Sequence, residues 1–100
     1  MKVNLQSVNF TIDQKLVNFV QNKLDKLENH HSKIVSAHVY LKVRKTSGKD
    51  NKISEILLNV PGTELMTKKT FKTFEEGVDE CVACLDRQLR KRKEKQKLNA

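Results

Sequence analysis

Four groups of residues in this hundred-residue chain are of types that do chemistry. Cys81 and Cys84 form "CVAC", the spacing of a redox pair or of half a zinc site. No second cysteine pair accompanies them, and His30, His31 and His38 lack zinc-finger spacing. The segment reads as helix interior, where cysteine is a small apolar filler. Glu75, Glu76, Asp79 and Glu80 read as the opening of a helix rather than an acid–base pair. His30 and His31 fall in "NHHSK", read as a solvated turn. The fourth group is "RQLRKRKEKQK", residues 87–97, with seven bases and one acid. Its chemistry is attraction of a polyanion.

The charge is uneven. The chain carries +8 overall, and residues 73–86 hold five acids and no base, while the last fourteen hold seven bases and one acid. A few bases suit the end of a helix by complementing its dipole. The run continues well past Leu89, the last apolar residue of its stripe, so helix stability does not account for it. Like charges four apart, as in Arg87–Lys91 and Lys91–Lys95, repel and cost stability. A nucleic-acid phosphate backbone relieves that repulsion, with an affinity that falls steeply as salt rises. No glycine-rich phosphate loop or nucleophile motif occurs, so neither an enzyme nor a cofactor is expected. No signal peptide and no run near the ~18 apolar residues of a membrane span are seen, which predicts a cytoplasmic chain with no membrane partner.

The elements that must position these bases are legible. "KVNLQSV" alternates as a short strand, with Val3 and Leu5 on one face. Thr11 and Asp13 both suit the cap of a helix over 14–28, whose stripe is Leu16, Val20, Leu24 and Leu27. "IVSAHVYLKVRK" alternates next, with Val35, Ala37, Val39, Leu41 and Val43 facing one way. "ISEILLNV", a turn at Pro61-Gly62 and "TELMTKKTFK" complete the strands. Thr73 and Glu76 form a capping box for a helix whose stripe is Phe74, Val78, Cys81, Leu85 and Leu89. Gly77 is a mild cost inside it. The order β-α-β-β-β-α predicts a two-layer α+β domain, a four-stranded sheet with both helices packed on its one apolar face. The domain is expected over 1–95, with a basic, frayed tail over 96–100.

Side by side, the helices would join Lys15, Lys23 and Lys26 of the first to Arg87, Arg90, Lys91 and Lys93 of the second. Five aromatic residues and no Trp offer no platform for stacking single-stranded bases. No helix–turn–helix or finger spacing occurs. The expected recognition is of backbone and shape in structured RNA.

"NKLDKLE" at 22–28, "VYLKVRK" at 39–45 and "DRQLRKRKEKQK" at 86–97 occur in an order and spacing that resemble one family. This is the ribosome hibernation promoting factors, also called ribosome-associated inhibitors or sigma-54 modulation proteins. The resemblance covers about residues 1–97 and implies the same β-α-β-β-β-α fold. It implies binding to the small ribosomal subunit between head and body, in the tRNA and mRNA channel, and a block on initiation when growth stops. Carried over by position, the bases meeting ribosomal RNA would be Lys23, Lys26, Lys42, Lys45, Arg87, Lys91, Lys93 and Lys95. Arg90 lies where the family varies but adds the same charge. Thr73-Phe74-Glu75 departs from the family's usual helix start, and Cys84 stands where a base is frequent. Long members carry a second domain that dimerises ribosomes; this chain resembles the short form, expected to be monomeric when free and to take no small-molecule substrate. The older family name also points to an alternative, a module that binds a regulatory protein.

Overall fold

A computed structural model describes residues 1–45 and 48–98, with side chains through Lys95. Its elements are β1 (Lys2–Val8), α1 (Gln14–His30), β2 (Ser36–Val43), β3 (Lys52–Val60), β4 (Thr63–Phe71) and α2 (Phe74–Leu98). This is the expected order. The tail expected over 96–100 overlaps the end of α2, and residues 99 and 100 lie outside the described residues.

The sheet runs β1-β2-β3-β4. Hairpins pair β2 with β3 and β3 with β4 antiparallel, through Val39↔Ile56 and Ile56↔Thr67. β1 pairs β2 parallel, through Leu5↔Val39, because α1 carries the chain back to the starting end between them. The sheet is therefore mixed. The turn between β3 and β4 places Gly62 at φ +86°, where a side chain would be strained.

Both helices cover one face. Leu16, Val20, Leu24 and Leu27 of α1 meet Phe74, Val78, Cys81, Leu85 and Leu89 of α2 over Ala37, Val39, Leu41, Ile56, Leu58 and Val60. Asp13 caps α1, its carboxylate accepting from the Leu16 amide at 2.9 Å, while Thr11 stays exposed. Thr73 caps α2 by accepting from the Glu76 amide at 3.2 Å; its hydroxyl also donates to Glu76 Oε1 at 3.0 Å. Phe10, in the loop before α1, stacks on Phe74 at 4.7 Å between ring centroids and ties the starts of the two helices together.

Three readings are corrected. Val35 does not face the core: it is 60% exposed, and Ile34 is buried instead. Regular pairing starts only at Ser36, so the alternation does not extend back through Val35. Gly77 is not merely tolerated. A Cβ there would lie 2.5 Å from Ser54 Oγ on β3, so glycine is what lets α2 sit this close to the sheet. His31 is no solvated residue; it is 5% exposed and packs between the helices.

Candidate nucleic-acid interface

The helices run side by side in the same direction, because each follows a strand of the same sense. Contacts in register show it: Lys23 meets Asp79, and further along His31 meets Asp86. Both C-terminal ends therefore lie at one end of the domain. Helix α2 is eight residues longer than α1, 25 against 17, and carries its basic run past the end of its neighbour. The molecule is accordingly elongated, 50 × 24 × 18 Å.

Within this frame the nine expected RNA-binding bases separate by what they touch. Lys23 bridges to Asp79 at 2.6 Å and lies 5.4 Å from the Phe19 ring. Arg90 bonds Asp86 Oδ2 at 3.0 Å, one helical turn back. Lys93 donates to the backbone carbonyl of His30 at 3.1 Å, closing the end of α1. Lys23 and Lys93 tie the two helices together, while the Arg90 bond stays within α2. Lys26, Arg87, Lys91 and Lys95 are exposed on the helices, and no carboxylate lies within 4 Å of any of them among the described residues. The other two are placed apart. Lys42 alternates with buried Leu41 and so projects from the open face of the sheet, opposite the helices. Lys45 follows the end of β2 and is exposed in the β2–β3 connection. The basic surface is thus centred on one end of the helical layer, and Lys42 is not continuous with it.

Spacing alone could not reveal the buried join beneath this surface. His31 Nε2 and Asp86 Oδ1 are 2.7 Å apart, and Asp86 also holds Arg90. The bond from His31, joined by Arg90, holds the Asp86 carboxyl below its ordinary 3.8, against the opposing effect of burial. A carboxyl depressed by folding contributes stability above the ordinary value, and that contribution is lost as pH falls through the lower folded value. The Asp86→Asn variant is therefore expected to be less stable than the parent at pH 7. The gap should narrow in urea titrations below pH 3.8, as the parent's own carboxyl protonates.

The cysteines divide. Cys81 is fully buried, its thiol pushed up to about 11 chiefly by burial, as suits a filler. Cys84 is half-buried; a hydrogen bond from Gln88, with Thr67, Lys69 and Arg87 nearby, draws its thiol below the ordinary 9.0. Among the described residues no group of three or more His, Cys, Asp or Glu side chains is placed to hold a metal ion. Among the described residues no helix is long and apolar enough to cross a membrane.

Comparison with known proteins identifies this architecture. Residues 3–97 match the model of the family described as sigma 54 modulation protein / S30EA ribosomal protein. The chain belongs to that family. It is 34% identical over 96 residues to the ribosome hibernation promoting factor of Pseudomonas putida, covering 96% of this chain and 90% of the relative. It is 32% identical to the protein of that name from Escherichia coli K12, over 97% and 98% of the two chains. A ribosomal subunit interface protein from Coxiella burnetii has the same fold, with TM-score 0.82 at 20% identity over 93% of this chain and 98% of that one. The N-terminal domain of Thermus thermophilus Protein Y aligns with TM-score 0.75 at 22% identity, over 91% and 98%. The S30EA family resemblance carried by the three quoted segments is thereby established over nearly the whole chain.

Proposed function

We propose that this chain is a ribosome hibernation factor, a non-enzymatic protein of the cytoplasm that silences ribosomes under stress or in stationary phase. It binds the small ribosomal subunit and its RNA in the channel used by tRNA and mRNA, and blocks initiation by occupying that space. The observation that carries this reading is the exposed, unneutralised basic end of the two-helix layer, Lys26, Arg87, Lys91 and Lys95, in a chain of this family. Lys23, Arg90 and Lys93 lie at the edge of the same surface and hold it rigid. Lys42 and Lys45 meet RNA from the sheet side, so the domain is gripped on two faces. Residues 1–95 act as one binding domain, with 96–100 as a basic tail, and the free protein is monomeric.

Sedimentation of the purified protein with separated small and large subunits, across a salt series, tests this. Saturable binding to the small subunit alone, weakening with salt, is the expected result. Equal binding to both subunits would overturn it. The open sheet face favours one second reading, a protein-binding module, because Met66 is 60% and Tyr40 37% exposed there. Binding of a protein partner that survives both RNase and high salt would favour that reading.

A further inference from the structure

A cleft of about 330 Å³ opens beside the basic end, between the α1–β2 connection, the β3–β4 turn and the last turns of α2. Ile34, Val60 and Leu89 give it an apolar floor, and Lys33, Arg92 and Lys93 stand around it with no carboxylate in the lining. Two of these cations are fixed in place. Arg92 donates to the Pro61 carbonyl at 3.0 Å and Lys93 to the His30 carbonyl at 3.1 Å. Each bond uses one donor, leaving four on the guanidinium and two on the ammonium. His31 also lines the cleft. Its Nε2 faces the Asp86 carboxylate, while its buried Nδ1 has no partner among the described residues.

We propose that this cleft is a site for a single nucleotide, its base against Ile34, Val60 and Leu89 and its phosphate among Lys33, Arg92 and Lys93. The floor suits an apolar body such as a base, and the cations suit an anion attached to it. The volume lies at the lower end of the ~300–1,000 Å³ of small-molecule sites, enough for one nucleotide and too small for a dinucleotide cofactor. The nucleotide has two possible sources, a free nucleoside phosphate or one unstacked residue of a bound RNA. The inference stands apart from the ribosomal reading, because free mononucleotides test it without ribosomes.

Methyl and amide NMR of the full chain, titrated with nucleoside monophosphates, with a short single-stranded RNA and with inorganic phosphate, tests it. Both nucleotide probes should shift the Ile34, Val60 and Leu89 methyls, and inorganic phosphate should not. Tighter binding of the mononucleotide identifies the free source; tighter binding of the oligomer identifies RNA. Lys33→Glu and Arg92→Glu should each weaken binding by about tenfold, the scale of one charge-assisted hydrogen bond. Lys33 is exposed, so its variant folds even if loss of the Arg92–Pro61 bond disturbs the turn. Methyl shifts produced equally by inorganic phosphate would overturn the proposal. So would the absence of methyl shifts with both nucleotide probes at millimolar concentration. Shifts with an apolar peptide but with no nucleotide would assign the cleft to a protein side chain.

Discussion

Replacing Arg87, Lys91 and Lys95 together with Glu is expected to weaken binding to small ribosomal subunits by about a thousandfold or more. Each replacement removes a charge-assisted contact to phosphate and adds a repulsive one, and three such losses multiply. The fold should survive, because all three side chains are exposed and none holds a carboxylate among the described residues. The remaining cost is a few tenths of a kcal/mol per residue from acids at a helix C-terminus. Circular dichroism and the unfolding midpoint should therefore change little while binding disappears. The choice of residues matters. Reversing Lys23, Arg90 or Lys93 would confound the result, since each closes a contact between the helices or within α2. A single exposed replacement, such as Lys91→Gln, should flatten the salt dependence by roughly one unit of slope. Retained affinity in the triple variant would remove the basic end from the binding surface.

Gly77→Val is expected to destabilise the fold by about 3 kcal/mol, the upper part of the range for overpacking a core. Valine's first carbon would lie 2.5 Å from Ser54 Oγ and 3.0 Å from Ser54 Cβ, and two methyl groups follow it. Ser54 is fully buried on β3, on the same face as the core residues Ile56 and Leu58, so it has little room to withdraw. The helix must lift, loosening Val78 and Cys81 from the sheet. For a domain of this size the loss corresponds to roughly 12–24 °C in the unfolding midpoint. Because Ser54 Oγ already lacks a hydrogen-bond partner, removing it is cheap. Gly77→Ala combined with Ser54→Gly should therefore recover stability relative to Gly77→Ala alone, a coupling read by a double-mutant cycle. Purely additive effects would show that Ser54 is not what excludes a side chain at residue 77.

Local pattern determined most of this protein. Period-two alternation marked β1, β2 and β3, and the Leu16–Leu27 and Phe74–Leu89 stripes marked the helices. Two apolar stripes and one apolar sheet face leave one economical packing, so the two-layer fold followed from the residues. The excess of bases past Leu89 was legible for a similar reason: charge beyond what a helix end uses stands out along the chain. Long-range proximity was not legible. His31 and Asp86 are 55 residues apart in sequence, and only the parallel passage of α1 beside α2 brings them to 2.7 Å. Gly77 looked like a cost because helix propensity is local, whereas its reason lies across the interface at Ser54. Within the basic run, Arg92 and Lys93 look like Arg87 and Lys91. Tertiary structure alone shows that Arg92 and Lys93 are anchored on the Pro61 and His30 carbonyls, which fixes their position without neutralising their charge, because a side chain's place is set by what folds against it.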